Sequence, residues 1–265
     1  MERERLIETF KTYYSLNGLD RWVGDNQLIA YPSADVWNEM IANNSTVLSE
    51  IHKLNSSTSL AINYHEMLAA ERRVKVKYEV PTAVPLFAYR GRSAVIDARY
   101  TWKDTTYYVE SKFLEPYYSS THPVREAYFE EKHYKDATIA KKWIEMFNSV
   151  KDEFEYYDIN QMLKHLLALY RLQPSGKIVL QNLIWKPTDS FFSVMKSKRS
   201  VSYLKKRVCV LQVEMRKADQ MLSEFLEKGL NWNDCTIEIC FYNDVLNQVS
   251  TDMHFQEFKE KYLFE

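Results

Sequence analysis

Ser93-Ala94-Val95-Ile96-Asp97-Ala98-Arg99-Tyr100-Thr101-Trp102-Lys103-Asp104-Thr105-Thr106-Tyr107-Tyr108-Val109-Glu110-Ser111-Lys112-Phe113 is the stretch that decides the fold of this chain. Two β-prone runs, 93–101 and 106–113, flank Trp102-Lys103-Asp104-Thr105, which predicts a hairpin turning at Lys103 and Asp104. With those two residues as the turn, residues equidistant from it pair, and Asp97 stands directly opposite Glu110. Residues two apart on a strand share a face and lie ~6.6 Å from one another, so Glu110 and Lys112 project together. Two carboxylates and an ammonium are expected to converge. An aspartate inside Ala94-Val95-Ile96-Asp97-Ala98 is costly to bury unless a cation meets it, and Lys112 is placed to do so.

Upstream, the Ser-rich stretch 55–59 precedes Leu60, Ile62, Tyr64, Met67 and Leu68, the pattern of a capped helix running to about Arg72. Val74, Val76, Tyr78 and Val80 then alternate with charged residues, predicting a strand that Pro81 and Pro85 end. Downstream, 114–157 is a long polar and aromatic insertion, helical around Lys141 to Val150. Asp158 is placed to cap a helix striped by Ile159, Met162, Leu163, Leu166, Leu167 and Tyr170, and Lys177 to Trp185 reads as a buried fourth strand. The core order is therefore α-β-β-β-α-β. Helical spacing over 3–15 and 36–54 predicts an N-terminal cap, and helix returns from Thr188, broken at Gly229 and with Val208 to Leu211 as an alternative short strand. Residues 236–242 read as one more strand, and the tail from Phe255 as helix. The expectation is a single α/β domain over 1–265: a central mixed sheet flanked by helices at about 56–186, a helical cap at 1–55 and a C-terminal extension at 187–265.

Composition agrees with one ordinary globular domain. The 265 residues are 46% hydrophobic and 27% charged with only five Gly and seven Pro, which excludes collagen-like and linker-rich architectures. Cys209, Cys235 and Cys240 have no Cys-x-x-Cys spacing, so neither a disulfide framework nor a zinc site is encoded. The charged start and the lack of any run of ~18 apolar residues predict a cytoplasmic protein with no membrane partner. A net charge of -1 hides local clusters. The densest is Lys196, Lys198, Arg199, Lys205, Lys206 and Arg207, either a solvated helix face or a surface for nucleic-acid phosphates. Without a Gly-rich phosphate loop or a Gly-x-Ser-x-Gly elbow, P-loop nucleotide hydrolysis and that form of serine hydrolase are excluded.

Hydrolysing a phosphodiester calls for a hard cation that spreads transition-state charge and acidifies an attacking water. Asp97 and Glu110 supply oxygens that Mg²⁺ prefers, the Ser111 carbonyl is a further candidate ligand, and Lys112 can orient water or neutralise developing charge. Glu-x-Lys alone means little, since Glu130-Glu131-Lys132 and Glu257-Phe258-Lys259 also match. Only Glu110-Ser111-Lys112 follows an aspartate within a hairpin.

Val95-Ile96-Asp97-Ala98, then Tyr108-Val109-Glu110-Ser111-Lys112-Phe113 and Glu115-Pro116-Tyr117, resemble the PD-(D/E)XK nuclease superfamily, of restriction-endonuclease-like fold, and look most like a little-characterised bacterial branch of it. The similarity extends to 56–63 and to Tyr157-Asp158 and Gln161-Met162-Leu163-Lys164-His165-Leu166-Leu167, covering about 56–186. It implies Mg²⁺-dependent cleavage of nucleic acid, DNA first, with Mn²⁺ able to substitute. Asp97 and Glu110 would bind metal and Lys112 would be the catalytic lysine. Glu66, ahead of Glu71, is the acid expected from the preceding helix, and Gln161 the glutamine that frames the site, with Lys164 and His165 nearby. Ile96 stands where the family motif has proline. Members without cleavage activity exist, so the alternative is an inactive nuclease fold that binds nucleic acid or a protein partner, with a homodimer also open. A third reading makes Asp97, Glu110 and Lys112 only an ion-paired network. His122 and His133 could touch phosphate or metal, and Tyr117, Tyr118 and Tyr128 could stack bases, against an ordinary surface or packing role for each.

Overall fold

Alternation of apolar and polar residues, two turn residues and well-capped helices dictate most of the architecture. A computed structural model describes the chain except residues 1, 25–26, 45, 86–92, 120–122, 135 and 247–252. The helices are α1 (Arg3–Leu16), α2 (Ala34–Asn43), α3 (Val47–Glu50), α4 (Ser57–Arg72), α5 (Glu115–Tyr118), α6 (Ala137–Val150), α7 (Ile159–Leu172), α8 (Asp189–Val194), α9 (Lys198–Glu224), α10 (Tyr242–Val245) and α11 (Met253–Phe258). The strands are β1 (Lys77–Pro85), β2 (Ser93–Trp102), β3 (Thr105–Lys112), β4 (Lys177–Ile184) and β5 (Cys235–Phe241), in the sheet order β1-β2-β3-β4-β5. The first three run antiparallel, while β4 is parallel to β3 and β5 to β4. The chain is thus an α/β protein with a five-stranded mixed sheet flanked by helices.

Trp102 pairs with Thr105 and Ala98 with Val109, so Lys103 and Asp104 form the expected two-residue turn, with Lys103 at a positive φ of 56°. β4 is buried from Ile178 to Ile184, as a strand covered on both faces should be. α4 lies against one face, where His65 meets Tyr100 and Glu66 meets Tyr78, and α7 lies against the other, over Glu110.

The structure sharpens four expectations. β1 does not stop at Pro81 but continues to Pro85, which an edge strand permits because its outer N–H groups have no partner to lose. The helical spacing over 36–54 resolves into two helices, α2 and α3. Over Val208 to Leu211 the helical reading holds and the alternative short strand does not form: these residues are the middle of the 27-residue α9, their β-branched side chains overridden by the surrounding apolar stripe. Gly229 does not break the helix abruptly, because a wider π-type turn over Phe225–Leu230 carries the chain past it.

The cap and the C-terminal extension share the core's hydrophobic cluster. Phe10 of α1 packs its ring 5.1–5.4 Å from Phe113, Trp185, Phe191 and Phe264. Tyr14 donates to the Lys261 carbonyl, and Trp185 Nε1 to that of Tyr262. Among the described residues no helix is long and apolar enough to cross a membrane.

Candidate active site

The hairpin register places Asp97 across from Glu110, one step beyond the Ala98–Val109 pair. The same row extends in both directions. Glu110 pairs with Asn182 on β4, and Glu79, between the Tyr78–Ala98 and Val80–Ile96 pairs, falls beside Asp97. Four polar residues, Glu79, Asp97, Glu110 and Asn182, thus cross four adjacent strands. Asp97 Oδ2 accepts the Ser111 N–H at 2.7 Å, and Asn182 Nδ2 donates to the Glu110 carbonyl at 3.0 Å.

Glu110 is the centre of the constellation and is only 3% exposed. Lys112 Nζ lies 2.7 Å from its Oε1, to which Gln161 Nε2 also donates at 2.6 Å. His165 Nε2 stands 2.9 Å from Oε2 without hydrogen-bond geometry, so that oxygen has no hydrogen-bonded partner. Gln161 and His165 are one turn apart on α7, and they face Glu110 because Asp158 fixes the helix start by accepting the Gln161 N–H at 3.1 Å.

The electrostatics divide the carboxylates. Burial alone would raise the Glu110 carboxyl, but Lys112 and then His165 outweigh it and hold it at about 2. Lys112 is disfavoured by burial yet pushed above the ordinary lysine range by Glu110, Glu115 and Asp97. Asp97 is raised well above the usual carboxylate range, first by burial and then by Glu110, with Lys112 opposing. Glu79 is raised by burial and further by Glu110, against hydrogen bonds from Asn44 and Thr58. One ammonium serves three carboxylates here, and the Asp97 side is left short of positive charge.

A cavity of about 60 Å³ opens beside Glu110 and Lys112, walled by Glu115, Ser119, Tyr156, Asp158 and Gln161. Its walls are held from behind by α9. Arg207 Nε donates to the Pro116 carbonyl at 2.8 Å, its Nη2 donates to that of Ser119, and its guanidinium lies 3.9 Å over the Tyr156 ring. Seven residues on, Glu214 accepts the N–H groups of Glu155, Tyr156 and Tyr157 at 2.7, 2.9 and 2.8 Å.

Asp97, Glu110, Lys112 and Gln161 are therefore brought together. Ser111 gives its N–H to Asp97 and turns its hydroxyl to Tyr242 on the opposite face. Glu66 is not part of this group: it accepts from Tyr78 on the α4 side of the sheet, and the third carboxylate near the centre is Glu79. No sequence signal singled out Glu79, because a strand glutamate before Val80-Pro81 reads as solvent-facing; it is instead 5% exposed and held at a positive φ of 49°. Asn182 and the contact of His165 with Glu110 were likewise invisible without the register of α7 and β4. Lys164 points away, over Tyr128, which is buried, as is Tyr117. His133 pairs with Glu130, Tyr118 meets Arg3, and His122 lies outside the described residues. Of the basic cluster, Lys196, Lys198, Arg199, Lys205 and Lys206 are exposed, but Arg207 is 6% exposed and serves the pocket wall rather than the surface.

Among the described residues no three His, Cys, Asp or Glu side chains are grouped closely enough to hold a metal ion by themselves. The donors nevertheless suit Mg²⁺, which takes one or two carboxylates and completes its shell with water and substrate phosphate. Glu110 Oε2, met by His165 without hydrogen-bond geometry, and the charge-deficient Asp97 side are what such an ion would satisfy. Compared with protein-family models, with curated proteins and with solved structures, the chain matches none of them.

Proposed function

We propose that this site is a metal-dependent phosphodiester-hydrolysing centre on a restriction-endonuclease-like core, acting on nucleic acid with DNA as the first candidate. The observation that carries the reading is the meeting of Asp97, Glu110 and Lys112 on one face, with Gln161 holding Glu110 from α7. Asp97 and Glu110 would hold the ion, the Ser111 carbonyl being a further candidate oxygen. When bound, Mg²⁺, or Mn²⁺ in its place, supplies charge for the phosphorane-like transition state and acidifies water. Lys112, kept protonated by its three carboxylate neighbours, orients the attacking water or offsets charge developing on phosphate oxygens. Gln161 fixes the rotamer of Glu110, and Asn182 fixes the backbone beneath it. The exposed lysines and Arg199 of the 196–206 segment contribute phosphate contacts.

One observation favours a second reading. Glu110 Oε1 is already satisfied by Lys112 and Gln161, so the network stands without a metal ion, as a non-cleaving fold that binds nucleic acid, a protein partner or a second copy would require. Calorimetric titration of Mg²⁺ and Mn²⁺ into wild type and Asp97→Ala/Glu110→Ala separates the two, followed by incubation with mixed nucleic acids. Saturable binding and cleavage lost together in the double variant are expected. A folded wild type that binds no metal would sink the hydrolytic reading.

A further inference from the structure

Between Asp189 and Glu214 the sequence carries six cations and no acid. Five of those cations are exposed, while the sixth, Arg207, is turned inward against the pocket wall. Arg199, Tyr203 and Lys206 follow one another at helical spacing of four and three on α9, and so share one face. Tyr203 is 45% exposed, one of few large apolar rings left in water, and its hydroxyl accepts from Arg207 Nη1 at 3.4 Å. Arg207 in turn stacks on Tyr156, a half-buried residue of the cavity mouth. Tyr156, Arg207 and Tyr203 therefore form a continuous rim from the cavity beside Glu110 to the basic face of α9. Glu115 and Asp158 lie on the cavity side of this rim rather than along α9.

We infer that this rim and the Arg199–Tyr203–Lys206 face form a track for single-stranded nucleic acid leading into the candidate active site. The inference rests on the hydrolytic reading for its direction but on the track's own chemistry for its ligand. Cations spaced along a groove follow a phosphate backbone, and aromatic rings between them offer faces that only unpaired bases can stack on. Glu110 is recessed behind a cavity of about 60 Å³, roughly the volume of two waters, so a flexible strand reaches it more readily than a rigid duplex. Arg207 acts through Tyr156 and Tyr203, as a positioning residue that keeps both rings on the rim.

The test is fluorescence anisotropy of labelled oligo-dT, oligo-rU and a DNA duplex of equal length, in EDTA, across a salt series. Without divalent metal the measurement reads binding alone. The wild type is expected to bind the single strands more tightly than the duplex, the two homopolymers showing whether the sugar matters. Tyr203→Ala should weaken single-strand binding about tenfold, as loss of one stacked base does, and Tyr203→Phe, which keeps the stacking face and gives up only the contact from Arg207, should lose less. Lys206→Ala should lower the slope of log affinity against log salt by about 0.7, the single-strand value for one phosphate contact. Both positions are exposed, so thermal melts of all three variants should coincide with wild type. Tighter duplex binding, or single-strand affinity indifferent to Tyr203→Ala and Lys206→Ala, would overturn the track. Strand binding without cleavage in Mg²⁺ would fail the hydrolytic reading and leave the track standing, whereas cleavage untouched by these substitutions would do the reverse.

Discussion

Two buried glutamates, Glu214 on α9 and Glu110 on β3, solve the same problem in different ways. Both carboxylates are nearly sealed, at 8% and 3% exposure. Glu214 is closed by three successive backbone N–H groups, whose donors are fixed in the chain and cannot leave. Glu110 is held on one oxygen by two side chains, an ammonium and an amide, while its other oxygen is met by the His165 imidazole at 2.9 Å without hydrogen-bond geometry. Side chains can rotate and exchange partners, which backbone groups cannot. An anion closed by backbone is suited to fixing a loop, and one held by side chains alone is suited to receiving a ligand. The loop that Glu214 fixes is a wall of the cavity beside Glu110, so the closed site sets the shape of the open one.

Removing each carboxylate should separate these roles. The largest effect is expected for Glu110→Gln. On the hydrolytic reading, metal-dependent cleavage falls about 10³-fold, the scale for losing one transition-state electrostatic contact, while the protein stays folded. A steady-state assay beside a thermal melt checks this, and equal loss of stability and activity would place Glu110 with Glu214 as a structural group. Next is Glu214→Ala, which strands three backbone donors, that of Tyr157 buried and the other two part-buried, and should cost about 3 kcal/mol of unfolding free energy in a denaturant titration. A loss below about 0.5 kcal/mol would show that water takes over those N–H groups, and the contrast between the two glutamates would collapse.

How much of this was legible in the sequence follows from the range of the contacts. The hairpin was, because its register depends on two turn residues and on alternation inside 21 residues that are contiguous, and so the facing of Asp97 and Glu110 came with it. Gln161 was reachable through a cap and a helical stripe, both local signals. Arg207 and Glu214 were not. Their partners lie 88–91 and 57–59 residues away, and a charged residue on a long helix reads as solvated unless those partners are known. Glu79 was hidden for another reason: its burial depends on β1 continuing through two prolines and on a left-handed backbone at a non-glycine residue, both of which local rules disfavour.

The histidines repeat the contrast at smaller scale. His65, fully buried on α4, gives Nδ1 to the Ala61 carbonyl at 2.8 Å, and its Nε2 has no partner, whereas His165 faces Glu110. Burial lowers His65 to about 4, against an ordinary value of 6.5. The unfolded chain therefore takes up this proton first, so the stability tied to a neutral His65 is complete above pH 6.5 and is lost as pH falls toward 4. His65→Gln keeps a side-chain donor for the Ala61 carbonyl and cannot titrate. Denaturation midpoints followed from pH 7 to pH 4 should decline less in the variant than in wild type, and parallel declines would assign the acid sensitivity elsewhere.

The smallest effect should be the most informative, because its sign opposes habit. Asp97 is raised by burial and by Glu110, so ionising it costs the folded state free energy that the unfolded chain does not spend. Asp97→Asn keeps an oxygen for the Ser111 N–H and removes that repulsion, so the variant should melt a few degrees above wild type at pH 7, as about 1 kcal/mol implies for a domain of this size. Because the folded-state value is the raised one, wild type recovers stability as Asp97 takes up its proton, and the advantage of Asn shrinks as pH falls toward the unfolded carboxyl value near ~4. Glu110 behaves oppositely: its value is depressed, so its contribution is present above pH ~4 and is lost as pH drops toward 2. Asp97→Asn that stabilises the fold yet abolishes metal binding would mark Asp97 as kept for the ligand at the fold's expense. Asp97→Asn that destabilises it would mean that Lys112 already neutralises both acids, leaving Glu110 as closed as Glu214.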